Sequence, residues 1–449
     1  MTGRGAYKRA GGLAAAGLLC AWPLAGPAQE AGAGRPSLAF TLSERIQWED
    51  GDEEDEGWTA TTGLALSINS ATPVSALRFD ASAGLEKRLE GDSDLDLSDP
   101  RLRLTYEREN RSSAFDLDLR YRQTDVDALD PDDTLEEVVR FGRGTRENAS
   151  VDIGFVFGRT APVGGSLDLG YAVTEYSDTD DPSLVDGETV DVTGTLDFVL
   201  DPRITALLRA TYSDTDEDDG GRDVLYENLS VGANAEVTPT LTAGLFVGYT
   251  RTTETVGGVE DRQDGASLEL SFTEDRPNGA WTGSFVSDLS DDGNRRTTAR
   301  INRSLDLPRG AISAGVGLSQ GDDGDLRPLY SLAYLHERPR SRLNLSLDQE
   351  FTTDDGDEAL NSRLNVSYSQ ELTALSSLEA GMFLRSTDYL GGPEDADRQI
   401  DLNLTYRRSL AEDWSLVTGY THRIDRENDA TERSNEIFLS VEKSFWRRF

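Results

Sequence analysis

The sequence has little of what usually holds a secreted or membrane-embedded protein together. Its 449 residues include one cysteine, Cys20, so no disulfide bond can form within the chain. No run of about 18 apolar residues follows residue 24, which excludes an ordinary transmembrane helix. Positive charge is also scarce: 44 lysines and arginines stand against 83 acidic residues, for a net charge of −39. A surface this acidic repels phosphate, so nucleic acid is excluded as a partner.

The N-terminus has the layout of a secretory signal peptide. Arg4, Lys8 and Arg9 form a positive head, and an apolar stretch follows from residue 10 to about residue 24. Small residues at 26–28 then fit a cleavage site. We therefore predict a signal peptide at 1–28, a short N-terminal segment at 29–36, and a mature chain without cysteine.

The order of residues contradicts the hydrophilic composition, whose mean hydropathy is −0.51. From residue 37 onward, stretches of about ten residues alternate apolar and polar side chains, which is typical of strands with two different faces. Residues 115–122, 342–348 and 400–407 are clear examples. The alternation predicts that one set faces lipid and the other faces a lumen. The lipid set includes Leu117, Leu119, Leu345 and Leu402, and the lumen set includes Asp118, Arg120, Asn344 and Asn403.

The connections between these stretches also alternate in kind. Short turns lie at 201–203, 238–240, 308–310, 338–340 and 411–413. Longer acidic connections lie at 49–57, 90–100, 125–148, 178–187, 213–223 and 353–358. Outer-membrane barrels combine tight periplasmic turns with larger external loops. The sequence therefore predicts an all-β fold: one antiparallel transmembrane β-barrel at 37–449, of about 22 strands with an error of about two.

A soluble β-sandwich or a β-solenoid would also produce alternation. The regular hairpins and the aromatic residues near strand ends favour the barrel. Trp48, Trp58 and Tyr212 flank acidic loops, whereas Tyr368 and Tyr406 lie near short turns. Two bands of aromatic residues suit the two interfaces of a membrane.

The end of the chain resembles the terminal strand of Gram-negative outer-membrane barrels. Ile437, Leu439, Val441 and Phe445 alternate with polar residues before the final Phe449, although Arg447 and Arg448 depart from the usual apolar pattern. The whole layout is similar to the porin-type barrels of proteobacteria. That resemblance implies an outer membrane, contact with its lipid and lipopolysaccharide, and assembly by machinery that reads the strand ending in Phe449.

The same features lead to an expected function. Only residues 29–36 precede the first strand, so we expect no plug domain and a water-filled lumen. The leading expectation is a porin or channel for passive passage of small polar solutes. Acidic clusters at 50–56 and 214–219 predict a preference for cations. An export conduit for a polysaccharide or other polymer, and a structural or adhesive barrel that transports nothing, are the two alternatives.

Catalytic chemistry has little support in the sequence. The only two histidines are His336, by a predicted short turn, and His422, beside a predicted acidic loop, so they fall at opposite ends of the predicted barrel and cannot share a catalytic site. We therefore expect no enzyme activity and no cofactor.

A calcium loop has some support in the spacing of acidic residues. Asp214, Asp216 and Asp218 have the first spacing of an EF-hand, but Asp219 stands where glycine is needed and Leu225 where glutamate is needed. The EF-hand is excluded, whereas loose binding of divalent cations by exposed carboxylates stays open.

Two sets of residues are candidates for the pore. The alternation predicts a pore lining that includes Arg78, Asp80, Arg103, Asp116, Asp118, Arg120 and Arg122. The longest connection, 125–148, is a candidate constriction loop because porin-type barrels often fold the loop after the fifth strand into the lumen. Its candidate residues are Asp130, Asp132, Asp133, Arg140 and Arg143. The slightly favoured alternative is that residues 138–141 only extend the next strand above the membrane.

Overall fold

The computed structural model describes residues 36–449 except 51–56, 91–94, 127–143, 180, 183, 219–220, 291–292, 322–323, 355–356, 391–395 and 428–429. The described residues form 22 strands. They are β1 Ser37–Asp50, β2 Gly57–Thr72, β3 Ser75–Arg88, β4 Asp96–Glu109, β5 Ser113–Asp125, β6 Thr145–Phe157, β7 Val163–Ser177, β8 Gly187–Asp201, β9 Ile204–Glu217, β10 Arg222–Thr238, β11 Leu241–Val256, β12 Val259–Arg276, β13 Gly279–Leu289, β14 Arg295–Leu307, β15 Gly310–Gln320, β16 Leu326–Arg338, β17 Ser341–Asp354, β18 Asp357–Thr373, β19 Ser376–Tyr389, β20 Asp397–Ala411, β21 Trp414–Glu427 and β22 Ala430–Arg448.

Each strand pairs antiparallel with its neighbour in sequence, and the last strand closes the sheet on the first. Strand β22 runs in register with β1 from Ser37 opposite Arg448 to Asp50 opposite Asn435. The Phe449 N–H also donates to the Pro36 carbonyl at 3.0 Å. Closure satisfies the strand edges, which a lipid environment requires. The predicted all-β closed barrel and its strand number are confirmed.

Contacts between distant strands identify the inner face of the wall. Arg209 on β9 reaches Glu269 on β12 at 2.8 Å, although β10 and β11 lie between them. Tyr226 on β10 similarly donates to Asp288 on β13 at 3.0 Å. Only the concave side of a closed sheet brings such side chains together. Because paired residues share a face, the strand registers extend this inner face around the whole ring.

The residues predicted to face lipid and those predicted to face the lumen lie on opposite faces of the wall. Leu119 pairs with Leu104 and Val151 on the outer face, whereas Asp118 pairs with Thr105 and Asp152 on the inner face. The same register arguments place Leu117, Leu345 and Leu402 outside and Arg120, Asn344 and Asn403 inside.

The outer face carries an apolar band with aromatic residues at its edge. Leu229 and Val231 on β10 remain more than half exposed, as lipid-facing side chains should be in the protein alone. Tyr171, Tyr212 and Tyr249 are each the ninth residue of their strands and mark one level around the barrel. Across the described ranges, no helix is long and apolar enough to span a membrane.

The short connections lie where the sequence predicts them. Pro202–Arg203, Pro239–Thr240 and Pro339–Arg340 each join two strands directly. The predicted signal peptide at 1–28, residues 29–35 of the N-terminal segment, and acidic residues 51–56 lie outside the described residues.

Candidate functional site

The inner face between β3 and β5 carries the predicted pore-lining residues. Asp118 accepts hydrogen bonds from Arg103 Nη2 at 2.9 Å and from Arg120 Nη2 at 2.8 Å. The strand registers place the whole set on this face: Arg78, Asp80, Arg103, Asp116, Asp118, Arg120 and Arg122. One carboxylate, that of Asp118, is therefore shared by two guanidinium groups. That these residues line a pore stays a prediction.

Arginines face each other across this sector of the wall. Arg103 lies opposite Arg120, and Arg101 lies opposite Arg122. Like charges directly opposite each other on neighbouring strands are unfavourable unless an anion lies between them. Asp118 supplies one such anion to the Arg103–Arg120 pair. The same inner face also carries Asp80, Glu107 and Asp116, so arginines and carboxylates alternate in this sector.

Most of the candidate constriction loop is not among the described residues. Asp130, Asp132, Asp133, Arg140 and Arg143 lie outside the described residues. The inward loop and its alternative, an extension of the next strand, both stay predictions.

A second sector of the inner face, between β9 and β13, forms a continuous polar network. Asp288 accepts hydrogen bonds from Tyr226 at 3.0 Å and from Thr250 at 2.5 Å. Asn228 donates to Thr250 at 2.6 Å and to Ser267 at 3.0 Å. Thr250 is fully buried among these partners. Groups that satisfy one another in this way make a fixed wall rather than an open ligand site.

Phenylalanines on the inner face hold several arginines in place. The Arg45 guanidinium lies 3.9 Å from the centre of the Phe438 ring, and Arg209 lies 3.9 Å from the Phe246 ring. Sequence reasoning missed these contacts because it expected only polar inner residues. The signal was present, since Phe246 and Phe438 occupy positions where the alternation requires a polar side chain.

A third sector departs from the regular wall. Strand β17 pairs with β16 only from Leu332–Arg338 to Ser341–Leu347. Beyond that point, Arg296 on β14 binds Glu358 on β18 at 2.8 Å, although β15, β16 and β17 lie between these two strands in the sheet order. The external part of the β17–β18 hairpin therefore leaves the wall.

The described residues show no arrangement for catalysis or metal binding. His336 pairs with Gly310 and Leu343 near a periplasmic turn, and His422 pairs with Leu402 and Asn435 farther up the wall, both on the outer face. No group of three or more candidate metal ligands occurs within the described ranges. The expectation of no enzyme activity stays a prediction.

Comparisons with solved structures reveal barrels of the same architecture. The FrpB iron transporter from Neisseria meningitidis matches with a TM-score of 0.58 and 8% identity, covering 92% of this chain and 81% of its own. The ferric-catecholate import receptor Fiu of E. coli K12 matches at 0.55 with 9% identity, covering 92% and 82%. A ferric enterobactin receptor mutant from Pseudomonas aeruginosa, in complex with enterobactin, matches at 0.54 with 10% identity, covering 93% and 82%.

No protein-family model and no curated protein matches the sequence. The likeness therefore concerns the fold: the chain is an outer-membrane β-barrel similar to those of Gram-negative outer-membrane receptors. That conclusion confirms the predicted outer-membrane localisation and the predicted resemblance to Gram-negative outer-membrane barrels.

The expected porin function is wrong. The barrels named above are receptors and an iron transporter, and none of them is named a porin. Strand number agrees, because general porins have about 16–18 strands whereas barrels of about 22 strands belong to outer-membrane transporters. The same finding overturns the expected cation-preferring passive channel. It also overturns the two alternatives, polymer export and a structural barrel. Barrels of that transporter class carry a plug, so the absence of a plug here stays a prediction.

Proposed function

We propose that this barrel is a ligand-specific uptake protein for an anionic iron chelate of the siderophore class. Support comes from the 22-strand ring, which matches siderophore and iron receptors over 92–93% of the chain. Ferric chelates with catecholate or carboxylate groups carry negative charge, and guanidinium groups recognise such oxygens well.

The arginine sector of β3–β5 is the observation that carries this proposal. Arg103 and Arg120 lie opposite each other on the inner face with about half of each side chain exposed. They are therefore open to the lumen and still close enough to act on one ligand. Their position on rigid strands fixes the spacing of the two guanidinium groups.

Binding to the purified full chain tests the proposal. Ferric enterobactin and ferric citrate serve as two anionic probes, and quenching of tryptophan fluorescence reports binding. We expect saturable quenching by at least one probe. We expect at least about hundredfold weaker binding in the double variant Arg103→Gln/Arg120→Gln, because each charge-assisted hydrogen bond contributes about 1.5–3 kcal/mol and each 1.4 kcal/mol is about a factor of ten.

Arg108→Gln is the matched control, since Arg108 lies on the same strand, on the outer face, opposite Phe115. Its affinity should equal that of the unmodified chain. Absence of saturable binding to both probes, or equal loss in the control, would contradict the proposal.

We also infer two partners beyond the ligand. The outer face would contact membrane lipid and lipopolysaccharide. The terminal strand β22 and the Phe449 that follows it would be read by the outer-membrane assembly machinery.

A further inference from the structure

A ring of cationic side chains surrounds the outer face of the barrel near its periplasmic end. The strand registers place each of them on the lipid side, opposite outer-face residues such as Phe115, Trp281 and Leu416. This basic rim consists of Arg108, Arg303, Arg338, Arg408, Lys443 and Arg447. Four of the six side chains are exposed, and those of Arg303 and Lys443 are half-buried.

No carboxylate neutralises the basic rim. Across the part of the chain that the structure describes, none of its six members forms an ion pair with an acidic side chain. Arg303 donates instead to the side-chain oxygen of Asn278 at 3.1 Å, and Arg338 donates to Nε2 of His336 at 3.1 Å. The positive charge of the rim is therefore available to a partner outside the chain.

Acidic residues near the rim are matched by other arginines. Arg407, which precedes Arg408 on β20, lies on the inner face and binds Glu442 at 2.5 Å. Glu274 does lie on the outer face at this end, and it is paired with Arg276 at 2.6 Å. The carboxylates of this region thus have cationic partners within the chain, whereas the six members of the rim have no anionic one among the described residues.

Aromatic rings hold the rim at the level of the membrane interface. Lys443 Nζ lies 5.0 Å from the centre of the Trp414 ring and 4.9 Å from that of Phe445. The Arg303 guanidinium lies 5.3 Å from the Trp281 ring centre. Both tryptophans remain more than a third exposed on the outer face. Because tryptophan is enriched at the level of the lipid head groups, the rim lies among those head groups.

The outer face has the opposite charge at the external interface. Tyr171 donates to Glu188 at 2.8 Å, and Tyr212 donates to Asp214 at 2.9 Å. The strand registers place all four of these side chains on the outer face. The carboxylates repel a phosphate group, and the cations of the basic rim attract one. The two ends of the barrel therefore suit different lipid head groups.

We propose that the basic rim binds the phosphate groups of anionic phospholipids in the periplasmic leaflet of the membrane. Guanidinium and ammonium groups form charge-assisted hydrogen bonds with phosphate oxygens. Their long stems can follow the apolar wall while the charged ends reach the interface. A head group with net negative charge is preferred over a zwitterionic one, because no cation of its own competes for the phosphate. The rim lies outside the lumen, so this binding is independent of the uptake ligand.

Quenching of fluorescence by brominated lipids measures this preference at one point of the rim. The chain has six tryptophans, and Trp414 becomes the sole reporter when those at 22, 48, 58, 281 and 446 are replaced by phenylalanine. The full chain is refolded into phosphatidylcholine vesicles that contain equal fractions of either brominated phosphatidylglycerol or brominated phosphatidylcholine. We expect phosphatidylglycerol to quench more strongly, because it should concentrate around Trp414.

Arg408→Gln and Arg407→Gln form a matched pair of variants, because the two residues are adjacent on β20 and each change removes one positive charge. Arg408 lies on the outer face opposite Leu416, two residues from Trp414. Arg408→Gln should lower the preference for phosphatidylglycerol about fivefold, the effect of one cation near a charged lipid surface. Arg407→Gln should leave the preference unchanged. Heat-modifiable electrophoretic mobility checks that each variant is folded.

Inorganic phosphate distinguishes a lipid site from a site for free anions. Phosphate added at the ionic strength of a chloride control should leave the preference at the chloride value, because the rim binds head groups held at the interface. The proposal is overturned if the two brominated lipids quench equally, or if Arg407→Gln lowers the preference as much as Arg408→Gln. It is also overturned if phosphate abolishes the preference and chloride does not.

Discussion

Leu119 and Asp116 lie three residues apart on β5 and point to opposite sides of the barrel wall. Leu119 meets other apolar side chains on the lipid face, and Asp116 lies opposite Glu107 on the inner face. At the residue scale, the environment of each side chain is thus set by its position in the alternation. A single new charge should have different consequences at the two sites.

We expect Leu119→Arg to lower the free energy of unfolding by about 2–4 kcal/mol, because the charge would enter the apolar part of the bilayer. Asp116→Arg should cost less than about 1 kcal/mol, since the new cation would face Glu107 in a wet lumen. Urea unfolding in lipid vesicles, followed by tryptophan fluorescence, measures both. Equal losses would show that the two faces are not distinguished by the membrane.

The inner face of strand β15 is lined by small residues that leave room for neighbouring side chains. Its inner face has no side chain larger than serine, and the glycine at 317 lies against Arg300 of the neighbouring strand. Glycine inside a strand ordinarily weakens it, and a close approach of other groups is a usual reason for its presence. Here the approach is that of Arg300 on β14.

We expect Gly317→Ala to destabilise the barrel by about 1–3 kcal/mol, as overpacking does. A Cβ atom at 317 would lie 2.8 Å from Arg300 Cγ and 2.9 Å from the Ala299 carbonyl oxygen. Gly194 on β8 is the matched control, because a Cβ atom there would meet nothing within 4 Å. Gly194→Ala should leave stability unchanged or raise it by about 0.4–1 kcal/mol. The same unfolding measurement decides, and a stable Gly317→Ala would refute the close packing.

At the scale of the whole molecule, the barrel depends on the seam between its first and last strands. Residues 444–448 of β22 pair with residues 37–41 of β1. Phe449 adds one hydrogen bond to Pro36 and is itself 60% exposed. The seam therefore rests on the strand, and the terminal residue contributes little to closure.

Removal of residues 444–449 should weaken closure, because it leaves the backbone groups of residues 37–41 without partners, and each such group buried in lipid costs several kcal/mol. Removal of Phe449 alone should preserve closure in purified, refolded protein. In cells it should lower the amount of barrel in the outer membrane, if the assembly machinery reads that residue. Heat-modifiable mobility and membrane fractionation give the two readouts. Normal amounts in cells without Phe449 would count against that partner.

The sequence alone determined the parts of this protein that depend on local order. Alternation of period two follows from strand geometry, so the faces of Leu119 and Asp118 could be assigned from neighbouring residues. Turn positions such as Pro202 and Pro339 also follow from local chemistry, because proline ends regular pairing. Counting these units led to the strand number and to the closed ring.

Only the tertiary structure decided what the inner face does. The register across β4 and β5 brings Arg103 opposite Arg120, and no local pattern fixes which residues of two strands face each other. The contact between Arg296 on β14 and Glu358 on β18 joins residues that are 62 positions apart in the chain. The sequence named the connection at 125–148 as the candidate inward segment, and residues 127–143 of it lie outside the described residues. Period-two alternation cannot reveal such a departure, because Phe351 keeps the phase of a lipid-facing residue although its segment has left the wall and lies near Arg296 on the inner face of β14.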